Sequence, residues 1–286
     1  MVVGVTGVRW SDVGPSTPTL QRLAQTGALA DVAVRSVRTA TCPVEGWLAL
    51  SAGRRAGDAK DPRAVVAGNQ VCRALPAVSG ESGESGGGAG VVQDWNRYVA
   101  AATAEKFSAQ PGLLGDTLAA AGTCGTAVGP GAAVALARSD GTVGSYLPAD
   151  AVAQVPATLG ERPLTVVDVG SVRDPADAPR GDAEQGVATV PGDRATQVAA
   201  ADARIGAALA GLPADARVLV VSLADSGRTP HLQLLAATGP GFPAGWVRTG
   251  STRQTALVQA TDLTPTVLDL LGVPGPRRSS ARGCGR

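Results

Sequence analysis

Apolar residues fall along the chain in short continuous runs, separated by stretches with helical spacing. Val2 to Val8 (V-V-G-V-T-G-V), Leu164 to Val169 (L-T-V-V-D-V) and Arg217 to Leu223 (R-V-L-V-V-S-L) are three such runs. Dense β-branched residues without polar alternation predict strands buried on both faces. Weaker runs predict strands at Ala28 to Val37, Thr126 to Val128, Leu232 to Ala236 and Ala256 to Val258. Between them lie helices. Thr17 and Pro18 cap one that runs to about Gly27, and Val44 to Leu50 gives another that stops at Gly53. Trp95 to Phe107, Pro111 to Ala121 and Arg194 to Leu212 follow, the last ended by Pro213. The chain closes on Asp262 to Pro274, D-L-T-P-T-V-L-D-L-L-G-V-P. This predicts a helix with Thr264 as N-cap and Pro265 at the first helical position. Leu268, Leu270 and Leu271 form its apolar side, and Gly272 and Pro274 stop it.

Strands alternating with helices predict an α/β fold of three layers, α/β/α, around a mainly parallel central sheet. Sites in such sheets gather in the loops beyond the strand carboxyl ends. Residues 1–276 are expected to form a single domain. Within it, Ser79 to Gly90 (S-G-E-S-G-E-S-G-G-G-A-G) is low in complexity and is expected as a flexible surface loop. Arg173 to Gly192 is a second loop, rich in Pro, Asp and Arg. The basic tail, residues 277–286, is expected to be disordered. Its charge suits anionic lipid, although a solvated end is the default reading.

The 286 residues are 44% apolar and 17% charged, with a formal net charge of +1. That balance argues against a nucleic-acid binder, which would concentrate basic residues on one face. Lysine is confined to Lys60 and Lys106, a bias that with abundant Ala and Gly suits a GC-rich genome such as an actinobacterium's. No apolar run approaches the ~20 residues of a membrane span. Met1 leads straight into a strand with no signal-peptide pattern, as expected of a domain cut from a longer protein. The four cysteines, Cys42, Cys72, Cys124 and Cys284, permit three full pairings and contain no C-x-x-C, which argues against a structural zinc. Cys42 with Cys72 is the preferred disulfide, implying an oxidising compartment, with buried free thiols as the alternative.

Two local patterns are accidental matches. Gly83 to Gly87 fits G-x-S-x-G but lacks the strand-turn-helix context of a nucleophile elbow. Gly129-Pro130-Gly131 lacks the third glycine and acidic partner of a dinucleotide loop. His231, the one histidine, reads either as a displaced ligand or general base, or as a half-buried residue on a strand edge.

Three segments carry more weight when taken in order. Thr41-Cys42-Pro43 precedes V-E-G-W-L-A-L-S-A-G, and Asp168 and Asp225 stand in V-V-D-V-G and L-A-D-S-G before the closing D-L-T-P-T. Across most of the chain this order resembles the alkaline-phosphatase superfamily, with its sulfatases, nucleotide pyrophosphatases and cofactor-independent phosphoglycerate mutases. More closely, it resembles the extracellular domain of uncharacterised actinobacterial integral membrane proteins. The resemblance implies that Thr41 is the nucleophile at a helix N-terminus, where free N–H groups receive a phosphate or sulfate. On local residues alone, Thr41 reads as a plain N-cap.

The same resemblance implies two metal ions held largely by histidines. Here the first strand ends in Thr6-Gly7 where Asp-Gly is expected. Val172 stands where a His should follow Asp168, and Asp225-Ser226-Gly227 replaces Asp-His-Gly. No histidine lies between Gly239 and Thr261 to supply the later ligand. Thr41, Asp168 and Asp225 remain as vestigial catalytic positions, sufficient at most for one weakly held hard cation such as Mg²⁺ or Ca²⁺. No cofactor is expected. The expectation is a metal-depleted, catalytically inactive ectodomain on the outer side of the cell membrane, binding or scaffolding an unidentified ligand or protein partner. Its membrane attachment would come through segments outside this sequence. The alternative is a metal-dependent hydrolase or transferase of phosphate or sulfate esters that uses Thr41.

Overall fold

The computed structural model describes residues 1–58, 65–66, 69–70, 72–80, 88–155, 162–174 and 192–275. The strands are β1 (Val2–Thr6), β2 (Ala28–Ala33), β3 (Val65–Val66), β4 (Asn69–Gln70), β5 (Val78–Gly80), β6 (Gly88–Val92) and β7 (Gly125–Val128). After them come β8 (Thr142–Leu147), β9 (Leu164–Ser171), β10 (Val218–Ser222), β11 (Gln233–Thr238), β12 (Gly245–Trp246) and β13 (Leu257–Gln259). The helices are α1 (Pro18–Thr26), α2 (Pro43–Ala52), α3 (Trp95–Ala104) and α4 (Leu113–Ala120), then α5 (Pro130–Leu136), α6 (Arg194–Leu209) and α7 (Leu263–Leu270).

One sheet runs in the order β12-β2-β11-β10-β1-β9-β7-β8-β6-β5, with β13 also paired to β2. Only β6 and β11 run against the others in this sheet. The central strands alternate between two cores, as a two-residue period requires. Leu219 and Val221 face one core with Val166, while Val218 and Val220 face the other with Val167. The first core packs under α2 to α5 and α7, around Trp47, Leu48 and Leu114. The second packs under α1 and α6, around Leu20, Val198 and Ile205. Three α/β/α layers result. Burying each large aliphatic side chain stabilises the assembly by about 1.5–3 kcal/mol.

Helix α2 positions the site. Pro43 opens it, Glu45 closes a capping box with Cys42, and Gly53, left-handed at φ 60°, stops it. Every residue from Pro43 to Ala52 is buried, so the helix lies inside the fold instead of on its surface. Gly46 permits this, because a Cβ there would fall 2.2 Å from the Leu223 carbonyl oxygen beyond β10.

Several expected elements differ. The low-complexity run does not loop out whole: Ser79 pairs with Val91 and Gly80 with Gly90, in a β5–β6 hairpin. Its glycines serve close approach, since a Cβ on Gly80 would lie 2.3 Å from the Ala89 oxygen. The remaining residues of that run, with the G-x-S-x-G match, lie outside the described residues, as do the tail and most of the 173–192 loop. Gly129-Pro130-Gly131 starts α5, an element that the sequence pattern did not reveal. Thr264 is not an N-cap: α7 begins at Leu263, and the Thr264 hydroxyl donates to the Leu50 carbonyl at 2.6 Å. The buried face of α7 is Leu263, Thr264, Val267 and Leu268, with Leu270 and Leu271 only partly covered. Strand β2 ends at Ala33, and β11 starts at Gln233, which leaves His231 in the preceding turn.

Candidate functional site

The ends of β1, β9 and β10 meet the start of α2. Gly7 follows β1 with φ 81°, and a Cβ there would lie 2.1 Å from the Val172 carbonyl oxygen. Val172 N donates to Thr6 O, and Gly7 N donates to Ala224 O, both at 2.8 Å. These bonds close the three strand ends onto one another. Val172 is fully buried in the second core. The Thr6 hydroxyl is buried with no protein hydrogen-bond partner.

Thr41 lies here too, 1% exposed. Its hydroxyl donates to the Val34 carbonyl at 2.7 Å and accepts from Ser36 N at 2.9 Å. Asp225 joins it through the backbone. Thr41 N donates to Asp225 Oδ2 at 2.8 Å, and Asp225 N donates to Thr41 O at 3.0 Å. Asp225 Oδ1 accepts from His231 N at 2.8 Å and Gln233 Nε2 at 3.2 Å. His231, half-buried, therefore reaches the site through its backbone. Asp168 takes different partners from this pair. Its oxygens accept from Gly131 N at 2.8 Å and Gly170 N at 2.9 Å. Burial pushes the Asp168 and Asp225 carboxyls above the usual range, against the pull of these amide donors.

The start of α2 already holds an anion. Glu45, fully buried, accepts from Cys42 N and the Ser36 hydroxyl at Oε2, each at 2.9 Å. Arg38 Nε lies 3.1 Å from its Oε1, which also accepts from Asp58 N at 3.4 Å. A disulfide joins Cys42 to Cys72 at the same helix end, and Cys124 is also disulfide-bonded. The C-P-V-E spacing of a capping box carried this arrangement in the sequence.

An ion-pair network that the sequence pattern did not reveal lies beside Gly7. Arg194, the first residue of α6, holds Asp12 through Nε at 2.9 Å and Nη2 at 2.6 Å, and Asp174 through Nη1 at 2.7 Å. Its Nη2 also donates to Gly7 O at 2.8 Å. Ser226 Oγ donates to Asp174 Oδ2 at 2.5 Å, and Asp174 N donates to Ser226 O at 3.0 Å. Arg9 adds a second positive charge, 3.7 Å from Asp174. No spacing rule links residues 7, 12, 174 and 194; the topology brings them together.

No family model and no curated protein sequence matches the chain. Solved structures do. Murine ectonucleotide pyrophosphatase/phosphodiesterase 5 superposes with a TM-score of 0.55 at 13% identity, covering 98% of this chain and 96% of that one. The human protein of that name gives 0.53 at 12% identity, covering 98% and 97%. The PH0037 protein of Pyrococcus horikoshii gives 0.50 at 12% identity, covering 97% and 98%. The fold is alkaline-phosphatase-like.

An alkaline-phosphatase-like fold raises the question of two metal ions, and these residues do not fit them. Among the described residues no three His, Cys, Asp or Glu side chains are grouped to hold one. The Val172 side chain offers no lone pair, Ser226 is committed to Asp174, and Asp168 and Asp225 already accept N–H donors at both oxygens. Four well-placed donors are what zinc requires.

Proposed function

We propose that this alkaline-phosphatase-like domain performs no ester hydrolysis and serves as an extracellular binding or scaffolding module of a membrane-anchored protein. One observation carries the first half. A nucleophilic threonine needs a hydroxyl open to substrate and to an activating group, whereas the Thr41 hydroxyl is buried between Val34 O and Ser36 N. Glu45 supports the same reading, because its carboxylate already takes the Cys42 N–H at the helix start, where a substrate anion would bind. The Cys42–Cys72 disulfide supports an oxidising, extracellular setting. Among the described residues no helix is long and apolar enough to cross a membrane, so the anchor in this proposal lies elsewhere.

The test is turnover of nitrophenyl phosphate, bis-nitrophenyl phosphate and nitrophenyl sulfate, with and without added Zn²⁺ or Mn²⁺. Wild type, Thr41→Ser and Thr41→Ala should all remain at the buffer rate. Turnover that needs metal and disappears in Thr41→Ala while persisting in Thr41→Ser would overturn the proposal.

A further inference from the structure

We infer that the end of the sheet where its parallel strands begin is a membrane-contact face, with Trp246 entering the headgroup layer of an anionic bilayer and Arg248 and Arg253 pairing with its phosphates. The inference deepens the reading above and rests on its membrane-anchored half. Trp246 is 65% exposed, more than any other large apolar side chain among the described residues. Its backbone is fixed. Gly245 N donates to Gly27 O at 3.1 Å, Val247 N to Leu29 O at 2.9 Å, and Ala256 N to Val247 O at 2.9 Å. Val247 packs against the first core, so the two-residue period turns Trp246 and Arg248 outward together. A ring held open to water on ordered backbone forgoes the burial that makes tryptophan stabilising elsewhere.

Charge is the second, independent sign. From Ser226 to Thr261 the chain carries three arginines and no Asp or Glu. Arg248 and Arg253 are exposed, and among the described residues neither forms an ion pair. The acids of this margin are Asp31, partly covered on β2, and Asp262, which accepts from the Ser251 hydroxyl and Gln259 N. Position is the third sign. Strand β12 pairs with the start of β2, at the end of the sheet where β1 also begins and away from Thr41. The same end holds a groove of about 840 Å³ lined by Leu164, Leu270 and Leu271, with Arg162, Arg217 and Asp215. Arg217 joins groove to loop, donating to Pro240 O and Leu270 O, each at 3.1 Å. A bilayer meets all of these features at once, since tryptophan settles at headgroup level and arginine pairs with lipid phosphate. An acidic protein surface would satisfy the arginines without calling on the ring or the groove.

Vesicle co-sedimentation tests this on wild type, Trp246→Ala, Trp246→Phe and Arg248→Gln/Arg253→Gln. Vesicles of phosphatidylcholine alone are compared with equal parts of phosphatidylglycerol and phosphatidylcholine, at salt of about 0.1 M and about 0.5 M. Wild type should prefer the anionic vesicles by at least about tenfold at low salt and lose most of that preference at high salt. An arginine near an anionic surface contributes about fivefold, so the double variant should lose at least about tenfold. Trp246→Ala should lose about fivefold or more, with both melting temperatures within about 2 °C of wild type, as surface changes allow. Brominated lipid should quench wild-type tryptophan fluorescence, and Trp246→Phe should keep most of the binding without that quenching. Equal binding to both vesicle types, or none, would overturn the inference. Polyglutamate bound as tightly as the anionic vesicles, with Trp246→Ala indifferent, would also overturn it, because the face would then suit an acidic protein. Recovery of the native protein from cells in the soluble fraction would instead sink the anchor of the previous section, and ester turnover through Thr41 its first half. Vesicle binding that depends on Trp246 would survive both.

Discussion

Thr6 and Thr41 carry the same hydroxyl into the interior with opposite outcomes. Thr41 satisfies an amide and a carbonyl, whereas the Thr6 hydroxyl has no protein partner. A buried polar group without a hydrogen bond costs about 1–3 kcal/mol. Thr6→Val, which exchanges that hydroxyl for a methyl group of similar size, should therefore raise the unfolding free energy by about 1 kcal/mol in urea denaturation. The same change at Thr41 would strand Ser36 N and Val34 O. At this scale the sequence was partly legible. Thr41-Cys42-Pro43 and Asp225-Ser226-Gly227 marked segments that the fold does join, as the Thr41–Asp225 backbone bonds record. The fate of the hydroxyl was not legible, because Val34 and Ser36 reach it only through the path of the chain after β2.

Helix α2 is the element on which the site depends, and its N-terminus is fixed from two sides. Glu45 caps it from within, and the Cys42–Cys72 bond ties it to a residue 30 positions along the chain. Closing a loop of that length restricts the unfolded chain by about 3–4 kcal/mol in the chain-entropy treatment. The Cys42→Ser/Cys72→Ser variant should lose about that much in chemical denaturation, more than a surface change would. The run Val44 to Leu50 with its stop at Gly53 placed α2 well, but its N-cap is Cys42 and not Thr41, a start that Pro43 and the Cys42–Glu45 spacing mark. Local signals failed for α7, where Thr264 looks like a cap by sequence but is drawn inward by the Leu50 carbonyl. They failed again for α5, a short Ala-rich segment opened by Gly-Pro-Gly. There tertiary burial, not periodicity, decides the conformation.

For the whole molecule, the buried carboxylates set the response to acid. Burial raises the Glu45, Asp168 and Asp225 carboxyls in the folded state. A group raised in this way binds its proton sooner in the folded protein than in the unfolded chain. Stability therefore grows as pH falls from those raised values toward the ordinary carboxylate pKa of about 4. Asp174 acts in reverse. Burial works against it, yet the Ser226 hydroxyl and the charges of Arg194 and Arg9 hold its carboxyl below the usual range. Its contribution is complete above about pH 4 and is lost as pH falls through the depressed value. In urea unfolding, wild type should thus gain stability relative to Asp168→Asn as pH falls toward about 4, while the contribution of Asp174 declines below it. A difference between wild type and Asp168→Asn that does not change with pH would contradict this. The parallel α/β core was legible because Val- and Leu-rich runs have few other destinations. Most of the outer strands were not, since β5, β6 and β12 carry little apolar pattern, although the run Ala256 to Val258 did mark β13.

Those short strands have a consequence for solubility. At one margin the sheet finishes on the three residues of β5. At the other, β2 is covered by two separate pieces, β12 against Ala28 and Leu29 and β13 against Asp31 to Ala33. Among the described residues, a neighbouring molecule seeking to extend the sheet finds no long, straight row of free amides and carbonyls at either margin, only interrupted stubs. Such blunting guards a β-rich protein against ladder-to-ladder aggregation when it is crowded.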